Sequence, residues 1–301
     1  MHPAPSIIVF TVLSGLGLGM IAWIGFGLGG DSHVFGWIAG ALALVITAGG
    51  GAASTGHLAR PERAWRAFSQ WRSSWLSREA CLMILAIAVF GVYLGLWLLF
   101  GVRLVTLGWL AGVLAIATIY ATAMIYAQLR TVPRWSGTPT APMFVAFALT
   151  GGLIATAAAQ GLAGQEPPLA WVFLALLFCA GVAVWWQTRA AGARRGLDGS
   201  SMKTATGLSG RVRMLEPPHT GSNYLLREMA FQVGRERAFQ LRQIGAFLGF
   251  LLPLVLVLVA MGLGGWVLVL ALVCHVAGML ALRWLFFAEA EHVQALYYGM
   301  R

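Results

Sequence analysis

Eight apolar stretches of roughly twenty residues each leave this chain few folds to choose from. They run over 7–26, 34–53, 80–100, 107–129, 142–159, 169–186, 244–261 and 266–282. Each is long enough at 1.5 Å per residue to cross a hydrocarbon layer of about 30 Å. Lipid offers backbone amides and carbonyls no hydrogen-bond partner, so a spanning segment must satisfy them internally as a helix. The expected fold is therefore all-α, a polytopic membrane protein built as a bundle of eight transmembrane helices. The bundle is one transmembrane domain covering residues 1–301. The chain is 59% hydrophobic and only 10% charged, with a mean hydropathy of +0.79, which no water-soluble globule of this size would match. The first apolar run follows a segment without Lys or Arg and reads as a retained helix, not a cleaved leader. It carries Gly15, Gly19, Gly25 and Gly29, spaced as small-xxx-small pairs that let neighbouring helices approach closely.

The net charge of +10 would fit a nucleic-acid binder if it were spread along a soluble face. It sits instead in a few connections. Nineteen of the twenty basic residues fall in the 56–79, 130–141 and 187–243 connections or beside the C-terminus, all on one side of an eight-span bundle. Arg103 alone lies on the other side. This bias places both termini and the long 187–243 loop in the cytoplasm. Within that loop, residues 225–244 alternate apolar side chains with arginines as an amphipathic docking helix would.

Metal chemistry finds no motif. Cys81, Cys179 and Cys274 are scattered through separate apolar runs, whereas iron–sulfur and zinc sites need clustered thiolates. His275 lies deep in the last span without a second histidine at its depth to complete a haem, and reads as a satisfied interior histidine. Arg103 and Arg283 fall near span ends, where snorkelling accounts for them.

The 55–79 connection is richer. His57 closes the second span and Glu79 opens the third, so both stand at one membrane depth on the cytoplasmic side. Between them lie Arg63, Arg66 and Arg72 with Trp65, Phe68, Trp71 and Trp75. Singly, the aromatics and arginines are an ordinary interfacial belt over anionic lipid. The His57–Glu79 pair carries more. Reduction or oxidation of a quinone moves two protons with two electrons, so each ring oxygen needs a titratable neighbour in a site reachable from lipid.

Loop motifs extend this reading. The opening His2-Pro3-Ala4-Pro5-Ser6, the block from His57 through Arg60-Pro61-Glu62-Arg63-Ala64 to Trp65, and the stretch Ser73 to Glu79 lie where hydropathy does not dictate residue type. So do Met124-Ile125-Tyr126-Ala127, Thr131-Val132-Pro133-Arg134-Trp135 and residues 227–242. With these motifs the chain resembles the membrane anchor subunits of the dimethyl sulfoxide reductase (DmsC) family, and most nearly the anchors of cytoplasmic sulfite dehydrogenase complexes. The resemblance implies a molybdopterin catalytic subunit and a ferredoxin-like subunit with [4Fe–4S] clusters as partners. It implies that the anchor itself holds no haem or metal and exchanges electrons with ubiquinone or menaquinone. The family's quinone-site histidine, arginine and acidic residue fall on His57, Arg63 and Glu79, with Trp65 beside them. Arg66, Arg72, Arg235 and Arg237 are the expected docking residues for the iron–sulfur partner. Taken with the cytoplasmic placement of the large loops, the resemblance implies electron flow from sulfite to quinone.

Two alternatives stand against this. A sulfoxide reductase anchor would run electrons from quinol to substrate. A transporter would need broken helices and a charged midplane site, for which the sequence offers little. The orientation is open to direct test. Reporter fusions at residue 301 and within 187–243 are expected to be active only with reporters that work in the cytoplasm; activity of a periplasm-dependent reporter at either point would reverse the bundle.

Overall fold

The computed structural model describes residues 4–54, 61–137, 139–193, 201–213, 215–216 and 238–293. Among these residues eight helices are long and apolar enough to cross a membrane: α1 Pro5–Gly25, α2 His33–Ala53, α3 Trp75–Phe100, α4 Val105–Ala127, α5 Thr140–Leu162, α6 Leu169–Ala193, α7 Ala238–Leu263 and α8 Val267–Ala288. No strand occurs among the described residues. The all-α reading holds, and each of the eight runs read from the sequence lies on one of these helices.

Most helix ends lie beyond the apolar runs, although α1 and α4 stop one and two residues short of theirs. A hydropathy window stops at the first charge, but the backbone ladder continues for as long as side chains find partners. Thus α3 starts five residues before the apolar run and takes Glu79 inside its second turn. In the same way α8 runs on to Ala288 and takes Arg283 inside. Helices α6 and α7 likewise extend into the connection between them, leaving 194–237 as the linking segment. A short helix, Met202–Thr206, lies within it behind a Ser201–Thr204 capping box. The candidate amphipathic stretch at 225–244 falls largely outside the described residues, as do Arg235 and Arg237.

Two helices are interior. In α1 and α5, 72% and 78% of the most apolar window is buried, against 28–44% in the other six. The reason lies in small residues. A Cβ added at Gly19 of α1 would strike the Ala148 carbonyl of α5, and one added at Gly152 would strike the backbone of Gly19 and Met20. On another face Gly17 abuts Thr47 of α2, and Gly50 of α2 abuts the backbone of Ser14. At the far end Gly25 meets the Gly108 carbonyl of α4. Gly29, by contrast, belongs to the turn after α1 with φ +93°, where it lies against Phe35. Its place in a small-xxx-small pair does not survive; the helix has already ended.

Connections at the two ends are fixed by charge and aromatic contacts. On the side opposite the termini, Arg103 donates to Asp31 (2.6 Å) and to the Tyr93 hydroxyl (2.8 Å), with its guanidinium over Trp97. This ion pair ties the α1–α2 turn to the α3–α4 turn and replaces the snorkelling read from the sequence. On the side that carries the termini, Glu289 receives Arg134 at 2.5 Å and Arg242 at 2.6 Å. Trp135 donates to the Phe286 carbonyl (2.8 Å) and stacks on the Phe286 ring. The α4–α5 loop is thereby pinned to the start of α7 and the end of α8.

Gly152→Val is expected to push α1 from α5 and destabilise the bundle by about 2 kcal/mol or more. Gly181→Ala in α6, where a Cβ meets open space, is expected to cost nothing. Melting temperatures of the two purified variants in detergent check the contrast.

Candidate functional site

At the end of the bundle that carries the termini, the chain leaves α2 and returns as a 3₁₀ helix, Pro61–Phe68, before entering α3. The return is held by α3 itself. The Ser77 hydroxyl donates to the Ala67 carbonyl. Arg78 reaches back to donate from Nε to the Trp71 carbonyl (3.0 Å) and from Nη2 to the Arg72 carbonyl (2.7 Å). Its guanidinium lies 4.4 Å from the Trp75 ring, which meets Tyr120 edge-on. Arg78 therefore organises the turn between the 3₁₀ helix and α3, satisfying carbonyls that have no helical partner. Nothing in the sequence marks it, since an arginine at a membrane edge looks like any other.

On this platform Arg63, Trp65, Arg66, Trp71 and Arg72 are all exposed or half-exposed. Arg66 sits against Trp65 and Arg72 against Trp71 in cation–π pairs. Glu79 differs from every one of them. Only 3% exposed, it turns inward from α3 towards α4, and its Oε1 accepts from the Thr122 hydroxyl. Burying a carboxyl group costs several kcal/mol unless it is hydrogen-bonded, and here one hydroxyl supplies that bond. Met83, one turn deeper on α3, packs its Sδ against the Gly51 position of α2, so the end of α2 lies beside the Glu79 face. His57 falls outside the described residues, and so the pairing of His57 with Glu79 stays an expectation. Trp65 and Arg63 stand on the platform, not in the buried layer that holds Glu79.

Behind Glu79 lies a layer that nothing in the sequence joins to it. Tyr126, one turn from Thr122 on α4, is surrounded by Trp135, Phe144, Phe286 and Phe287 at ring distances of 5.4–5.6 Å. Arg283 of α8 enters the same layer. It is 4% exposed, with its guanidinium 3.7 Å from the Phe144 ring centroid and 5.5 Å from that of Phe286. It does not snorkel. The aromatic faces supply part of what water would have given the cation. Among the described residues its Nε and Nη1 nevertheless find no hydrogen-bond partner. The loop motifs around Tyr126 and Trp135 were legible in the sequence. Their convergence on Arg283 was not, because it lies about half the chain away.

Among the described residues no three His, Cys, Asp or Glu side chains stand close enough to hold a metal ion. What the arrangement does provide is a buried proton-active group just beneath a basic, aromatic surface.

Comparison with known proteins agrees with the loop motifs. Residues 1–300 match the family described as DMSO reductase anchor subunit (DmsC). The chain is also 32% identical to one of the subunits of the Allochromatium vinosum sulfite dehydrogenase, over 99% of both proteins.

Proposed function

This chain belongs to the DMSO reductase anchor subunit family and serves as the membrane anchor of a molybdoenzyme complex, and within that role we propose that it exchanges electrons with membrane quinone. The electrons come from a ferredoxin-like iron–sulfur subunit with [4Fe–4S] clusters, which docks on the basic face and in turn serves a molybdopterin catalytic subunit. Glu79 is the observation that carries this reading. A carboxyl group shielded from water at the membrane edge, held by one hydroxyl and roofed by a positively charged platform, is placed to give a proton to a ring oxygen or take one from it. A quinone headgroup reaching it from lipid would lie within a few turns of helix of the surface where the clusters dock.

In this reading His57 serves the second ring oxygen, and Arg63 and Trp65 border the entrance. The bias of basic residues supports an orientation with the platform, the termini and the long loop in the cytoplasm, in a bacterial inner membrane. The relative of 32% identity is a subunit of a sulfite dehydrogenase. A cytoplasmic catalytic module that oxidises sulfite and delivers its electrons to quinone fits both facts. The family's name points to the reverse direction, from quinol to a sulfoxide, and a two-way assay of the purified complex decides between them.

Two expected outcomes test the site. Glu79→Gln keeps volume and hydrogen-bonding capacity but removes the titratable group, and His57→Gln does the same for the imidazole. Each variant complex is expected to assemble and to pass electrons from substrate to a dye at the catalytic subunit. Turnover with quinone is expected to fall about 10²–10⁴-fold. Loss of the dye activity as well would make the pair part of the subunit interface, and full quinone turnover would move the site elsewhere.

Docking has its own check. Charge reversal at Arg235 and Arg237 is expected to release the iron–sulfur subunit while this chain stays in the membrane. Retention of that subunit would make the segment a lipid-surface helix instead.

A further inference from the structure

A small cavity lies on the inner side of Glu79's partner. It measures about 30 Å³ and is bounded by α1, α4, α5 and α8, with Thr11, Ser14, Thr122, His275 and Arg283 as its polar lining. Two of these side chains are buried cations or bases with idle nitrogens: Arg283 Nε and Nη1, and His275 Nε2. Both residues are at most 4% exposed.

His275 is held by a device that follows from the sequence of α7. Pro253 has no N–H, so the carbonyl four residues earlier, that of Gly249, loses its helical donor. A π turn over Phe247–Leu251 opens the ladder there, and His275 Nδ1 closes on the Gly249 carbonyl at 2.7 Å. A carbonyl can only accept, so Nδ1 carries the proton and the Nε2 of the neutral ring is left as an acceptor. Donors on Arg283 and an acceptor on His275 therefore border one cavity, and among the described residues no protein group pairs them.

Leaving three such nitrogens dry in a low-dielectric interior would cost several kcal/mol. A water needs about 10–15 Å³ of such space, so the cavity has room for about two. An aromatic ring needs roughly five times that volume, which excludes the quinone headgroup itself. Waters here can accept from Arg283 and donate to His275 Nε2 and to the Thr122 oxygen.

Resting on the quinone reading of Glu79, we propose that this cavity is a two-water proton store that refills Glu79 through the Thr122 hydroxyl. The Thr122 hydroxyl carries one hydrogen and faces two acceptors, Glu79 Oε1 and the Thr118 carbonyl (3.1 Å). With Glu79 protonated it accepts from the carboxyl group and donates to Thr118; with Glu79 ionised it donates to the carboxylate, which is the orientation that returns a proton after Glu79 has given one to a reduced quinone. In that step the Thr122 O–H bond breaks as the Glu79 O–H bond forms. The threonine oxygen takes a replacement proton from the adjacent water. That water is reprotonated in the same step by a hydronium ion from bulk solvent, so the net change is one proton moved from solvent to the carboxylate and no hydroxide is left. Thr122 is thus a positioning and relay residue, and Arg283 orients the waters by donating to them.

Thr122→Val and Thr122→Ser test the store in the intact complex, alone and combined with Glu79→Gln. Expected for Thr122→Val is at least a tenfold loss of quinone turnover, a larger slowing in D₂O than the parent complex shows, and unchanged dye-linked activity. Thr122→Ser is expected to restore the rate, and Thr122→Val should add nothing to Glu79→Gln. Parent-like quinone turnover in Thr122→Val beside a slow Glu79→Gln overturns the store and leaves the Glu79 site standing. Equal slowing by Val and Ser, with no change in the D₂O effect, makes Thr122 a packing residue and overturns it too. Full activity of Glu79→Gln removes the quinone site and the store together.

Discussion

Close backbone approach around α1 is the constraint on which the rest of this bundle depends. In lipid the hydrophobic effect does not favour one helix contact over another, since hydrocarbon is as apolar as leucine. Association then rests on van der Waals contact, which grows steeply as backbones near each other. Gly17, Gly19 and Gly25 give α1 three shallow faces, one each for α2, α5 and α4. With α1 seated this way, α5 is forced to the interior beside it, and α8 closes the remaining side. The polar cavity exists because these small residues bring Thr11, Ser14, Thr122, His275 and Arg283 to one place.

Charge is handled differently at the two ends and inside. At the ends, ion pairs fasten connections: Arg103 with Asp31 on one side, and Glu289 with Arg134 and Arg242 on the other. Inside, Arg283 has aromatic rings where a carboxylate would be expected, and Glu79 has a hydroxyl where a base would be expected. Neither buried charge neutralises the other through a direct bridge. A direct Arg–Glu pair would satisfy both groups and silence them; separated by Thr122 and a polar gap, each retains its capacity to exchange a proton or hold a charge.

This separation also assigns labour within the complex. The chain contributes a fixed geometry at the membrane edge: a basic platform above, a buried carboxyl group below, and the packing that keeps water out except where the fold leaves room for it. In the proposed role, substrate chemistry belongs to the partners, and this chain adds the place where a proton is handled beside lipid.

Much of this was legible from the chain alone. Eight runs of apolar residues define eight helices because each span must satisfy its own backbone and be long enough to cross. Glu79 stands out because a carboxylate at the start of such a run has no ordinary reason to be there. The platform of Arg63, Trp65, Arg66 and Arg72 could be read because loop residues are not dictated by hydropathy. Other features were decided by the tertiary structure. Arg283 looked like a snorkelling end residue until α8 proved longer than its apolar run and turned it onto Phe144. His275 looked self-contained until Pro253 freed the carbonyl that holds it and left Nε2 open to a cavity. Thr122 was one threonine among many in apolar helices. These helices are apolar on every side, since lipid and core ask for the same residues, and so the sequence carries no periodicity to say which face turns inward. Span and edge are local properties written residue by residue; the meeting of α1, α3, α4 and α8 around one polar gap is set only when the helices pack.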